Sequence, residues 1–295
     1  MKSNIKRDVP FRKLTTIGAG GTARFFAEPE SVEELVDLLG WADRNGLPAA
    51  AVGLGSNLLV ADEGFPGLVL RLKAVLAMAK AEDTTLMAGG GAALAVCLHR
   101  ARAGGLGGLE FASAIPGTVG GGVWMNAGAY GSDMAGILAR ALVADAKGAR
   151  WCTPEDLGLR YRRSDLRHGQ VVAGVEFRLE LRHEEEIREA VAELQAQRKA
   201  AQPTNKRTFG SVFKNPEHEL TAGRMLDACG LRGHRIGGAH ISPKHANFIE
   251  NAGKATAADC LALIAEARHR ARERFGVVLE PEVQLLGPIE IPPLE

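Results

Sequence analysis

Phe209-Gly-Ser-Val-Phe-Lys-Asn-Pro216 sets a hydroxyl, a cation and an amide (Ser211, Lys214, Asn215) within five positions between two phenylalanines. A plain surface loop rarely carries two such rings. Strict alternation puts Ser211 and Phe213 on one side and Lys214 on the other, unless the turn implied by Pro216 intervenes. Near the C-terminus, Leu279-Glu-Pro-Glu-Val-Gln284 places Glu280 and Glu282 in an apolar segment. One of them is expected to face inward, where burial raises a carboxyl pKa and suits it to donate a proton. The alternative is an edge pair facing solvent, where Pro281 is tolerated. Tyr161-Arg162-Arg163-Ser164 concentrates cations. Such a run can line a solvated patch, or an arginine can hold a carboxylate through paired N–H bonds.

Two glycine loops add a second kind of chemistry. The first, Ala51-Val-Gly-Leu-Gly-Ser-Asn-Leu-Leu-Val60, offers Gly53 and Gly55 beside Ser56 and Asn57. A P-loop needs Lys-Ser/Thr after its last glycine, and a dinucleotide fingerprint needs a third glycine opening a helix. Neither is present, and Leu58 to Val60 reads as extended. What remains is a turn whose bare N–H groups can nest an anion, or a simple strand–loop turn. The second loop runs from Phe111 to Gly122 through Ser113, Ile115, Pro116 and Gly117, with Thr118 as a candidate N-cap for a helix reaching Asn126. Its first turn, at Gly120 and Gly121, is expected to leave N–H groups open to a pyrophosphate. Two anion loops in one domain suggest a large, doubly charged ligand such as a dinucleotide; two unrelated structural turns are the alternative.

Composition narrows the classes. Lys and Arg outnumber Asp and Glu by one, giving a net charge of +1, so no bulk field draws nucleic acid or an anionic membrane. The short arginine run in a neutral chain also argues against nucleic acid. There are 36 glycines in 295 residues, well above the typical ~7 %, and they cluster as tight loops do rather than in a collagen period. The four cysteines, Cys97, Cys152, Cys229 and Cys260, form no CxxC pair, so reduced core thiols in a cytoplasmic protein are expected. The N-terminal MKSNIKRDVPFRK lacks an apolar stretch and does not read as a signal peptide, and no apolar run is long enough to span a membrane. His183 reads as a surface residue. His234, His240 and His245 are irregularly spaced, and hydrogen bonding to a polar substrate suits them better than a metal.

The elements that must position these groups follow from periodicity. Ser31-Val-Glu-Glu34 is a capping box before a helix stopped by Asn45-Gly46. Short strands follow in the apolar stretch that opens at about Ala50, at 67–72 and at 84–90, and a helix at 92–103. A hairpin turns at Lys147-Gly148, and 171–181 alternates as a strand. A charged helix over 183–201 bridges to a second part, with a short helix at 221–228, strands around Ile236 and Phe248, a helix over 256–275 capped by Thr256 and Asp259 and stopped by Gly276, and a final strand in Val277-Val-Leu-Glu-Pro-Glu-Val-Gln-Leu-Leu286. The chain is therefore expected to be α+β in two parts, meeting between about 180 and 200.

TTIGAGGTARFF, VGLGSNLLV, IPGTVGG with MNAGAYG, YRRS, GSVFKNP, IGGAHISPKHANFI and LEPEV occur in one order along the chain. Together they resemble the UDP-N-acetylenolpyruvoylglucosamine reductases, flavoenzymes of peptidoglycan synthesis, over nearly the whole length. The resemblance implies a flavin-binding fold of the vanillyl-alcohol oxidase type over 1–182, in two subdomains split near residue 72. It implies a substrate-binding domain over 183–295, whose C-terminal strand returns to the active site. FAD, held without a covalent bond, is implied at Gly53, Gly55, Ser56, Asn57 and Leu58. Further contacts fall at Ser113, Ile115, Pro116, Gly117, Gly120, Gly121, Asn126, Ala127, Gly128, Tyr130 and Val175.

Arg162, Ser211 and Glu282 become the catalytic set, with Tyr161, Lys214, Asn215 and His245 on the substrate. The implied reaction reduces UDP-N-acetylglucosamine enolpyruvate with hydride from NADPH relayed by FAD. Arg162 and Glu282 would stabilise charge beside the substrate carboxylate, and Ser211 would supply the proton. Ala114 and His240 stand where many relatives carry Gly and Gln, and the tyrosine-bearing loop of some relatives is absent. A monomer without metal is expected. An alcohol or lactone oxidase of the same fold is the alternative, although no histidine precedes His99 to tether a flavin; a non-catalytic flavin-binding module is the third reading.

Overall fold

Cap residues and buried apolar faces set the positions of the helices. The computed structural model describes residues 5–294, so the first four residues of the charged N-terminal stretch lie outside the described residues. Two compact units are present. One comprises the segment up to Arg7 with Phe25–Leu54 and Pro66–Arg198, the other Asp8–Arg24, Gly55–Phe65 and Lys199–Glu295. The expected boundary at 182/183 therefore moves: α4 (Glu184–Ala201) belongs to the first unit as far as Arg198, and two N-terminal segments join the second. Chain order alone does not reveal this, because those segments are held by side chains and strands far along the sequence.

In the first unit, α1 (Val32–Arg44) starts where Ser31 Oγ accepts the Glu34 N–H at 3.2 Å. The reciprocal half of the expected capping box is displaced by one residue, with the Glu34 carboxylate accepting from the Glu30 N–H at 2.9 Å. Leu35, Leu38 and Leu39 bury one face against Phe25, Leu68 and Leu70, each contributing roughly 1.5–3 kcal/mol. The strand Ala49–Ala51 pairs in parallel with Leu68–Leu70. A five-stranded antiparallel sheet follows in the order Gly148–Cys152, Leu138–Asp145, Val171–Arg178, Thr85–Gly89, Ala79–Glu82. Its hairpin pairs Asp145 with Gly148, so the turn lies at Ala146-Lys147, one residue earlier than expected. Asp145 Oδ1 accepts the Lys147 N–H there. Leu86, Val175 and Phe177 of the sheet pack with α2 (Leu94–Ala103) and α3 (Val119–Trp124).

In the second unit, the antiparallel sheet runs Thr208–Ser211, Phe248–Asn251, Ala239–Ile241, Arg235–Ile236. It shares a core of Phe209, Phe213, Ile241 and Ile249 with α5 (Ala222–Ala228) and α6 (Ala257–Phe275). The capping box of α6 is complete: Asp259 N–H donates to Thr256 Oγ1, and Thr256 N–H to Asp259 Oδ2, both at 3.0 Å. Gly276, at φ +68°, ends the helix. A third cap comes from afar. Asp62 Oδ1 and Oδ2 accept the Ala257 and Ala258 N–H groups at 2.8 and 3.0 Å.

The same 55–65 segment carries Leu58–Val60, paired in parallel with Gln284–Leu286. The final strand expected over Val277–Leu286 is confined to Gln284–Leu286; Pro281, lacking an N–H, makes only an isolated bridge to Phe213. The four cysteines are free thiols, and burial pushes Cys97 and Cys260 up to about 12. No helix is long and apolar enough to cross a membrane, and no group of three metal-ligating side chains occurs, among the described residues.

Asp62→Ala leaves two N–H groups at the start of α6 without that partner. It is expected to lower stability by about 1–2 kcal/mol, measured by urea unfolding.

Candidate functional site

The bareness of the first glycine loop comes from packing inside the protein. A Cβ on Gly53 would lie 2.3 Å from Thr118 Oγ1, and one on Gly55, at φ +63°, 2.3 Å from the Leu14 carbonyl oxygen. Gly53 thus lies directly against Thr118 of the second glycine loop. Ser56 and Asn57 follow in the second unit, with Leu58 opening the strand paired to Gln284.

The second loop corrects one expectation. The Val119 and Gly120 N–H groups donate to Ala92 and Gly90 carbonyls at 2.9 and 2.7 Å, and Gly122 N–H donates to Thr118. The start of α3 therefore does not offer its N–H groups to a pyrophosphate, because the 90–92 turn has already taken them. Ser113, on the 3₁₀ turn Glu110–Ala114, is different: its Oγ is buried with no hydrogen-bond partner among the described residues. A buried polar atom of that kind fits a cofactor heteroatom. Ile115 and Gly117 are half-buried around it and Pro116 is exposed, while a Cβ on Gly121 would make an ordinary contact with Thr118 Oγ1 at 3.6 Å.

Asn126, expected on the cofactor, is a structural hub. It is 2 % exposed. Its Nδ2 donates to Asp133 Oδ2 and the Arg160 carbonyl, both at 3.1 Å, and its Oδ1 accepts the Ala135 N–H at 2.9 Å. Both Nδ2 hydrogens are thus engaged within the protein, and one lone pair of Oδ1 is left. Val175 is likewise a core residue of the sheet, opposite Ala88. Ala127 N–H donates to Gly122 and its carbonyl accepts from Met134, which holds the loop. Tyr130 is half exposed, with its hydroxyl donating to Leu194 O at 3.3 Å.

Arg162 sits at the tip of a two-residue turn closed by reciprocal backbone bonds between Arg160 and Arg163, at 2.9 and 3.0 Å. Its φ is +53°, a region costly for a side chain larger than Asn. Two contacts hold it there: its Nη2 donates to Gly128 O at 2.6 Å, and its guanidinium lies 4.9 Å from the Tyr161 ring centroid. Asn126 (φ +40°) and Tyr130 (φ +54°) share the left-handed region, so three of the expected site residues carry backbone strain.

In the second unit, Ser211 ends its strand opposite Phe248, and Glu282 lies alongside. Glu282 N–H donates to Val212 O at 2.8 Å, and Lys214 N–H donates to Glu280 O at 2.9 Å. The two carboxylates differ in exposure. Glu280 is exposed and accepts from Lys214 Nζ at 2.6 Å, whereas Glu282 is half-buried. Asn215 Oδ1 accepts the Ala222 N–H at 3.2 Å, so half of its amide serves the first turn of α5.

His245 packs edge-on to Phe248 at 5.1 Å, and its Nδ1 accepts the Asn247 N–H at 3.2 Å, leaving the ring proton on Nε2. Burial, then the Arg232 charge, hold its pKa below the ordinary histidine value. His240 makes no metal site and pairs with Glu250 at 3.3 Å. His183 is exposed, as expected.

Residue-by-residue reading missed Asn247. It is 4 % exposed and clamps Phe213 from both sides, Oδ1 accepting the N–H at 2.9 Å and Nδ2 donating to the carbonyl at 2.8 Å. The signal was an asparagine between apolar residues in His245-Ala-Asn-Phe-Ile249, a polar group that burial obliges to find partners. Asn247→Ala strands both Phe213 groups. It is expected to cost about 2–4 kcal/mol in urea unfolding. A folded His245 pKa below that of the unfolded chain means that the unfolded state takes up the proton first. Stability should therefore fall as pH drops below about 6.5, and His245→Gln should flatten that dependence between pH 7.5 and 5.5.

Comparison with known proteins agrees with this layout. Residues 202–286 match the C-terminal domain of UDP-N-acetylenolpyruvoylglucosamine reductase, and residues 23–152 match an FAD binding domain. The chain is 43 % identical over 286 residues to UDP-N-acetylenolpyruvoylglucosamine reductase 2 of Symbiobacterium thermophilum, covering 96 % of this chain and 92 % of the relative. It is 44 % identical over 289 residues to the reductase of Anaeromyxobacter dehalogenans, covering 98 % and 87 %. The crystal structure of the Thermus caldophilus reductase superposes with a TM-score of 0.83 at 38 % identity, over 96 % of this chain and 98 % of that one. An α+β chain with an FAD-binding domain, matched from end to end in this way, belongs to the UDP-N-acetylenolpyruvoylglucosamine reductase family.

Proposed function

We propose that this chain reduces UDP-N-acetylglucosamine enolpyruvate to UDP-N-acetylmuramate with FAD and NADPH, a step in making peptidoglycan precursors. The observation that carries the reading is the pairing of Glu282 with the strand of Ser211 through the Glu282 N–H to Val212 O bond, in a chain matched along its length by such reductases. Bound FAD supplies the hydride-transfer chemistry that no side chain has. The orphaned Ser113 Oγ is the group that fits it.

The protein's own groups handle charge and protons. Arg162 presents a permanent cation from a fixed turn, suited to the substrate carboxylate. Glu282, acting protonated, donates a second hydrogen bond there as negative charge builds, and such preorganised donors lower a barrier by about 3–4 kcal/mol each. Ser211 Oγ gives its proton to the carbanion, and Lys214, 13 % exposed at its side chain, offsets the resulting negative charge. Lys214, Asn215 Nδ2, Tyr161 and His245 Nε2 are the proposed contacts to the sugar nucleotide. The free, buried thiols suit a reducing cytoplasm, and the chain is proposed to act as a monomer without nucleic-acid or membrane partners.

Purified protein should be yellow, with acid releasing the flavin. Anaerobic NADPH should bleach it, and UDP-N-acetylglucosamine enolpyruvate should restore the colour; failure to recolour rejects the reading. Ser211→Ala should keep bleaching within about twofold while slowing recolouring by about 100-fold or more. Equal loss in both halves rejects the proton-donor role.

A further inference from the structure

Glu282 enters the proposed chemistry through its side chain, but its main chain is held from both ends. The N–H donates to Val212 O at 2.8 Å, one residue from Ser211. The carbonyl accepts two side-chain amides, Asn57 Nδ2 at 3.2 Å and Gln284 Nε2 at 3.1 Å, which fills both of its lone pairs. Asn57 then returns a bond, its own carbonyl accepting the Gln284 N–H at 3.1 Å. This frame occurs where regular structure gives out. Pro281 precedes Glu282 and has no N–H, and the strand begins only at Gln284. No ladder fixes Glu282; the Asn57 amide and the Val212 carbonyl fix it instead.

Resting on the function proposed above, we propose that the Asn57 side chain is a positioning residue for the Ser211–Glu282 pair and not a ligand of the cofactor. The two placements make different demands on one amide. Of the two Nδ2 hydrogens, a cofactor ligand would aim one or both at a phosphate; the side-chain bond the amide makes here is to the Glu282 carbonyl, at 3.2 Å. The main-chain carbonyl and the side chain of Asn57 thus both face the 282–284 segment. Asparagine suits the role because its amide donates while carrying no charge. An aspartate of the same shape has no donor and would set a negative oxygen against the Glu282 carbonyl.

The test compares Asn57→Asp with the wild-type holoenzyme in the two half-reactions, and follows amide hydrogen exchange over Leu279–Leu286 in the apoprotein. Flavin affinity and NADPH bleaching should stay within about twofold. Recolouring by UDP-N-acetylglucosamine enolpyruvate should slow by about 10- to 100-fold, the scale set by small misplacements of reacting groups. Exchange at Glu282 and Gln284 should quicken while α6 is unchanged. Weakened flavin binding with equal loss in both halves would make Asn57 a cofactor ligand and overturn the proposal. Faster exchange with both halves at wild-type rates would make the contact merely structural and overturn it too, as would unchanged exchange. Should Asn57→Asp fail to fold, Gln284→Glu removes the other donor to the same carbonyl and must give the same split. If the wild type itself is not recoloured, the functional reading fails, while the exchange data still decide whether Asn57 holds Glu282.

Discussion

One backbone hydrogen bond, from the Glu282 N–H to the Val212 carbonyl, ties together the part of the site that lies in the second unit. It joins a C-terminal segment without regular structure to a strand whose other edge is secured in the sheet. Everything nearby reinforces it. Asn247 copies a peptide group and clamps Phe213 next door, Phe209 and Phe213 anchor the strand in the core, and the Lys214 N–H repeats the link at Glu280. A site that must hold an acid and a hydroxyl within fractions of an ångström is better built this way than from long side chains, since backbone bonds on a packed core leave few rotamers to settle.

Glycine has more than one task here. At Gly53 and Gly55 the missing Cβ makes room for Thr118 and Leu14, and the left-handed φ of Gly55 turns the chain. At Gly120 the close neighbour is the Gly90 carbonyl, 3.0 Å from a Cβ built there. These glycines let chain segments approach one another more closely than a side chain would allow. Ser113, with its buried hydroxyl unpartnered among the described residues, is one of the places where the protein leaves a polar demand unfilled.

Strain is concentrated beside these loops. Asn126, Tyr130 and Arg162 all hold positive φ, at about 1–3 kcal/mol for a residue forced there. Asn126 tolerates it best and offsets it with three hydrogen bonds. Arg162 does so with the Gly128 carbonyl and the Tyr161 ring. A guanidinium placed at a turn tip and tied back to the Gly128 carbonyl and the Tyr161 ring has little freedom to move.

Much of this was legible in the chain itself. The helices at 32–44 and 257–275 declare themselves through Ser31, Thr256 and Asp259 and through Asn45 and Gly276, because capping is a local transaction between a side chain and the next turn. The catalytic candidates stood out as motifs, since hydroxyl, guanidinium and carboxylate in apolar company are costly without a purpose. What the sequence could not settle depended on partners distant along the chain. The 90–92 turn takes the N–H groups at 119 and 120, Asn126 faces inward, and the expected last strand shrinks to Gln284–Leu286. Segments 8–24 and 55–65 belong with residues beyond 198, as shown by Asp62 on the start of α6 and Asn57 on Glu282. Residue type reveals that an amide or a carboxylate must find a partner; only tertiary structure decides which one, because for Asp62 and Asn57 the partner lies 195 and 225 residues away and only folding brings it to 2.8 and 3.2 Å.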